Sequence, residues 1–250
     1  MSSHIRSNLT FEQFAELANA PDMASEEKIG FPVEYRRGRS DAILVDVRAK
    51  LTNLDQDGAT ILDIGCGCGE LAEAVVEHGT QAGRSLCLSD SKEMLDALKC
   101  SVAGVTQVPG PFPQTIAEIQ KAYEDGFDAI LVYSVLQYPF ANSNASEFVD
   151  GAAMLLKPGG QLLFADLPNS SMRNRFLASE NGIAHHKATY GPEGLPDTRF
   201  NQLVPGQMDD GFILGLATRM RMAGFHAYLM PQNRALPMSN RREDLLIVKP

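Results

Sequence analysis

The chain has no long apolar run. Stretches such as 129–135 and 162–165 fall far short of the roughly 20 residues that a membrane-spanning helix needs. Positive charge is scarce: 22 Lys+Arg stand against 31 Asp+Glu, a net charge of −9. Broad binding to nucleic acid or to an anionic membrane is therefore not expected, because both require clustered cations. Cysteine is sparse as well. Two of the four residues, Cys66 and Cys68, sit in one glycine-rich loop and the others are Cys87 and Cys100, which is no secreted disulfide framework. Residues 1–10 are polar and lack the apolar stretch of a signal peptide, so a reducing cytoplasm is the expected setting. There is no internal repeat and no low-complexity tract. What remains, 250 residues at 44% hydrophobic and 21% charged, has the composition of a packed globular protein.

Residues 1–56 read as polar and helical. Thr10 with Gln13 has the spacing of a capping box, and Phe11, Phe14 and Ala18 follow on one face. A second helix is predicted over 40–51, with Ile43, Val47 and Leu51 four apart; the segment 29–37 between the two reads as loop. From residue 59 short apolar runs alternate with helices. Strands are predicted at 60–64, 85–89, 105–108, 127–133 and 161–166, with helices over 70–77, 91–99, 116–123 and 148–155 between them. That alternation means βαβ units and a parallel sheet covered on both faces. A helix around Phe212, Leu216 and Met220, closed by Gly224, leads into strands at 225–230 and 244–248, the last of them antiparallel. The stretch 167–207 fits no regular element and reads as an insert on the substrate side.

The run ILDIGCGCGEL at 61–71 is the most informative part of the chain. A buried strand enters a loop with glycines at Gly65, Gly67 and Gly69, and a helix follows. Such a loop lets a ligand lie against the backbone at a helix N-terminus. A branched side chain at Gly67 is expected to intrude on that ligand. Asp90 ends the next strand, where a carboxylate can accept two hydrogen bonds from a ribose diol. Two ligand classes use this layout. The dinucleotide fingerprint G-x-G-x-x-G would need its third glycine at position 70, but Glu70 stands there and repels a diphosphate. The version found here, with Asp63 two residues ahead of Gly65, suits a ligand that carries an ammonium group and no phosphate.

That run, together with LCLSDSKEML (86–95), FDAILVYSVLQYP (127–139) and LLKPGGQLL (155–163), resembles the class I S-adenosylmethionine-dependent methyltransferases. The resemblance implies a Rossmann-like α/β fold with a seven-stranded, mostly parallel sheet and helices on both faces. It implies an N-terminal helical cap over 1–56, a cofactor-binding domain over 57–250, and the insert 167–207 after the fifth strand. S-adenosylmethionine is the implied cofactor, with Asp63, Gly65, Cys66, Gly67, Gly69, Asp90, Ser91, Phe112, Tyr133 and Ser134 around it. Phe112 enters because the segment 108–113 lacks the acidic or polar residue that often meets adenine in the family.

The activity so implied is methyl transfer to a small acceptor, with no nucleic acid, membrane or metal involved and a homodimer left open. Residues 166–177 look similar to stretches in methyltransferases of surface-polysaccharide or sugar biosynthesis, which points to a sugar hydroxyl as acceptor, with a natural product or other metabolite as the alternative. Catalytic candidates are Tyr133, after the fourth strand, and His185 and His186 in the insert, which could take a proton from the acceptor; the bland alternatives are a core tyrosine and two solvated histidines. Arg36, Arg37, Arg173, Arg175 and Arg199 could each meet an acceptor carboxylate or phosphate, or lie on the surface. Cys66 and Cys68 read as loop fillers, since C-x-C lacks the spacing of a zinc site. A non-catalytic module that binds S-adenosylmethionine and a nicotinamide oxidoreductase are the alternative functions.

Overall fold

The computed structural model describes residues 9–200, 202 and 204–250. The first eight residues of the expected cap, and Asn201 and Leu203 of the insert, lie outside the described residues. The N-terminal segment folds as α1 (Phe11–Ala18), α2 (Ser25–Lys28), α3 (Val33–Arg36) and α4 (Ser40–Lys50), followed by a 3-10 turn, Thr52–Asp55. The alternating region runs β1 (Thr60–Ile64), α5 (Glu70–Gly79), β2 (Ser85–Asp90), α6 (Lys92–Asp96), β3 (Thr106–Pro109), α7 (Ile116–Ala122) and β4 (Phe127–Tyr133). Then come α8 (Gln137–Asn142), α9 (Ala145–Met154), β5 (Leu156–Pro168), α10 (Ser170–Ala178), α11 (Glu180–Tyr190), α12 (Asp210–Met222), β6 (His226–Pro231) and β7 (Arg242–Val248).

The seven strands form one sheet in the order β3-β2-β1-β4-β5-β7-β6. The first five are parallel, and β7 enters antiparallel between β5 and β6. Period-two alternation along the central strands divides the core. Leu62, Ile64, Ile130, Val132, Leu162 and Phe164 face α7, α9 and α12, while Ile61, Leu86, Leu88, Ala129, Leu131 and Leu163 face α4 and α5. α4 therefore covers the sheet beside α5 through Ile43 and Val47, rather than only roofing a site.

Local chemistry sets the helix starts. The Thr10–Gln13 capping box forms in both directions, and Ser91, Asn144 and Asp209 each accept amides of the first turn of α6, α9 and α12. Two local expectations fail. Residues 29–37 are not all loop, since α3 supplies one helical turn. The insert contains two helices where none was expected: α10 is capped by Asn169 and α11 by Ser179. Leu177 and Gly182 are the fully buried residues of these two helices, so no apolar stripe betrays them in the sequence.

Candidate active site

A cavity of about 470 Å³ opens at the C-terminal ends of β1, β2 and β4, where the crossovers of such a sheet leave a crevice. Its floor is the loop after β1. Gly65 and Gly67 have φ of +72° and +65°, left-handed conformations that favour glycine. Gly65, Cys66, Gly67 and Gly69 all line the cavity. Its roof comes from the N-terminal helices, through Phe14, Ile29, Phe31 and Arg36. Phe112, Tyr133, Tyr138 and Phe148 extend the aromatic wall, and Phe112 stands edge-on to Phe148 with ring centres 4.9 Å apart.

Two carboxylates face the floor. Asp63 is 3% exposed and has neither a hydrogen-bond donor nor a cation beside it among the described residues. Burial, reinforced by the charge of Asp90, pushes its carboxyl up to about 8. Asp90 accepts the Gly67 amide at 2.7 Å and the Ser91 amide at 2.6 Å; burial outweighs these bonds and holds it at about 6. A carboxylate offers roughly four lone-pair positions, so Asp90 keeps capacity for a diol. Glu70 accepts the Gly38 amide at 2.8 Å, tying the cap to the start of α5. Cys66 is half-buried, and burial followed by the charge of Asp90 pushes its thiol well up, out of nucleophilic range.

At the other end, the tips of β4 and β5 carry an ionic cluster. Ser134 and Asp166 have φ of +58° and +59°, strained values for non-glycine residues that tend to occur where a site needs them. Asp166 binds Arg36 at 2.5 Å and Arg242 at 2.9 Å, and accepts the Ser134 hydroxyl and the Gln232 amide. Although burial works the other way, the two guanidinium groups hold its carboxyl below the usual range. Arg36 also donates to the Tyr133 hydroxyl oxygen at 3.1 Å and to Ser134 Oγ at 2.7 Å. Burial and the charge of Asp166 keep the Tyr133 phenol protonated well beyond its ordinary range.

Most of the expected site residues thus meet at one cavity: Asp63, Gly65, Cys66, Gly67, Gly69, Asp90, Phe112, Tyr133 and Ser134. Ser91 does not line it; its hydroxyl caps α6 by accepting the Met94 amide. His185 and His186 are not brought there. Both lie on α11, His185 exposed and His186 against Tyr190 with ring centres 5.0 Å apart, and neither lines the cavity. They are carried on a polar helix that packs against α10, outside the cavity lining. Arg175 pairs with Asp210 and Arg199 with Asp197 at the surface, and Arg37 pairs with Glu26. Among the described residues Arg36 is the arginine that lines the cavity. Ile29 and Phe31 had no distinguishing signal in the sequence. Among the described residues no group of three or more His, Cys, Asp or Glu side chains is placed to hold a metal ion, and no helix is long and apolar enough to cross a membrane.

Solved structures align along nearly the whole chain. The plantazolicin methyltransferase BpumL, solved with S-adenosylhomocysteine, superposes with a TM-score of 0.58 over 96% of each chain at 14% identity. The N-methyltransferase NodS of Bradyrhizobium japonicum WM9 gives 0.56 over 96% of this chain and 98% of its own at 13% identity. The fold is that of the class I methyltransferases. Within it, residues 62–162 match the family profile described as a methyltransferase domain, a span from β1 into β5 that carries the glycine loop, Asp90 and Tyr133. Ubiquinone biosynthesis O-methyltransferases are similar to part of the chain. That of Agrobacterium fabrum is 30% identical over 122 residues, 49% of this chain and 46% of its own. That of Paraburkholderia xenovorans is 30% identical over 154 residues, 61% and 60% of the two chains. The chain spans about half the length of the first of these relatives.

Proposed function

We propose that the protein transfers the methyl group of S-adenosylmethionine to a small acceptor held at the aromatic end of the cavity. The observation that carries this reading is Asp63. A buried carboxylate with no partner among the described residues, beside a second carboxylate and a glycine loop, is a receptor for a cation and hostile to a diphosphate. The residues present therefore fit an adenosyl amino acid. Asp63 would take its ammonium group, Gly65 and Gly67 would let it approach the backbone, and Asp90 would hold its ribose diol. Phe112 offers an adenine a ring face, and Tyr133 and Ser134 stand at the strand tip beyond. When bound, the cofactor supplies an electrophilic methyl on a sulfonium; the protein supplies alignment and exclusion of water.

The aromatic wall favours a flat acceptor, and the name of the O-methyltransferase relatives favours an oxygen nucleophile. A sugar hydroxyl is less well supported, because none of residues 166–177, the stretch that raised it, lines the cavity. Calorimetric titration with S-adenosylmethionine and S-adenosylhomocysteine tests the reading. Micromolar binding of both is expected, with none of NADH; a protein that binds NADH and neither adenosyl compound would sink it.

A further inference from the structure

Arg36 is the one cationic side chain that lines the cavity among the described residues. Its guanidinium has five N–H groups. Three are spent, on Tyr133, Ser134 and Asp166, which leaves two. The group also packs on aromatic rings, with Cζ 3.9 Å from the centre of Phe31 and 5.0 Å from that of Tyr133. The Tyr133 oxygen accepts from Arg36, and its own proton is donated to no described residue. Both side chains thus present unspent donors at the tips of β4 and β5.

Among the described residues no carboxylate beside them is free to take a proton. Asp166 is saturated by two arginines, a hydroxyl and an amide. Of the other cavity carboxylates, Glu26 is on Arg37, Glu70 on the Gly38 amide, and Asp90 on two loop amides next to Asp63. Glu12 and Glu147 are exposed and bonded to neither Arg36 nor Tyr133. The site is built to receive negative charge on an acceptor, not to create it by removing a proton.

We infer that the acceptor is a phenol, bound and methylated as its phenolate, with the oxygen anion resting on Arg36 and the Tyr133 hydroxyl. This inference rests on the methyl-transfer reading and deepens it. In the step, the phenolate oxygen forms a bond to the methyl carbon while the bond from sulfur to that carbon breaks. The bonding pair stays on sulfur, an anion and a sulfonium become two neutral molecules, and no proton passes to the protein. Charge is lost on the way to the transition state, so a cavity walled by Phe14, Phe31 and Tyr138 favours the reaction more than water does. An amine acceptor would leave the positive charge in place and gain nothing from Arg36.

The test uses 4-nitrophenol, whose phenolate absorbs visible light, titrated with pH on protein saturated with S-adenosylhomocysteine. Ionisation of the bound phenol is expected to be at least about tenfold easier than that of the free phenol, as beside a buried cation. Tyr133→Phe, which removes one oxygen atom, is expected to reduce the effect. Arg36→Gln is expected to abolish it, with Asp166 still neutralised by Arg242. An unchanged or raised pKa for the bound phenol, or no phenol binding to protein that does bind S-adenosylhomocysteine, would overturn the inference and leave methyl transfer standing. Loss of S-adenosylhomocysteine affinity in Arg36→Gln with the phenol shift intact would assign Arg36 to the carboxylate of the cofactor instead. Failure of the wild-type protein to bind S-adenosylhomocysteine takes down both readings.

Discussion

Ile29 lies across the glycine loop so closely that a Cβ built on Gly67 would stand 2.7 Å from its Cγ2. The residue expected to make room for a ligand therefore also makes room for the cap, and a side chain there meets α2's end before it meets anything bound. Gly67→Ala should lose stability by about 1–2 kcal/mol through its left-handed backbone and should also displace the cap. Adding Ile29→Ala is expected to relieve the collision but not the backbone strain. Chemical denaturation of the two single variants and the double variant checks this: purely additive losses would mean that Ile29 and Gly67 do not press on each other.

The floor of this cavity was legible in the sequence and its roof was not, for a physical reason. A buried parallel strand, a run of alternating glycines and a carboxylate at the next strand's end are local patterns, and Thr60–Ile64, Gly65–Gly69 and Asp90 fall where those patterns put them. Arg36 acquires its meaning from Tyr133, Ser134 and Asp166, which are 97, 98 and 130 residues away; in sequence it is one arginine among several. His185 and His186 show the converse, since residue type drew attention to side chains that the fold sends elsewhere. Helices α10 and α11 escaped because they are held by caps and by each other, with little apolar face to read.

Lys50 pairs with two buried carboxylates, Asp46 one turn back on α4 at 2.6 Å and Asp244 on β7 at 2.5 Å, the second of which joins the helix to the sheet. Lys50→Met keeps the volume but strands two buried acids, and should cost about 3–5 kcal/mol. The sign of the pH dependence follows from Asp244, whose carboxyl burial already raises above its ordinary value despite Lys50. Without the lysine it rises further. A folded-state value above the unfolded one gives stability that is present at low pH and lost as pH climbs. The deficit of the variant should therefore grow from mildly acid to neutral pH, and adding Asp244→Asn should recover part of it. Denaturation midpoints across that range measure both effects; a deficit that shrinks as pH rises would contradict the arrangement.

Asp63 and Asp90 make cofactor binding a proton-linked event. Burial, with Asp90's charge added, sets Asp63 at about 8, and burial sets Asp90 at about 6; as neighbours they titrate as a pair. Both values are raised, so they stabilise the ligand-free fold at low pH, and that contribution fades as pH rises through about 6 and then about 8. The ammonium of the cofactor requires the ionised form of Asp63. Affinity for S-adenosylhomocysteine should therefore rise with pH up to about 8, approaching about tenfold per unit where one proton must leave. The melting temperature of the ligand-free protein should fall across the same window. Asp63→Asn, which cannot ionise and keeps the shape, should flatten both curves while weakening binding. Calorimetry in two buffers of different protonation enthalpy gives the number of protons released, and a value of zero at neutral pH would mean that Asp63 is already charged before the ligand arrives.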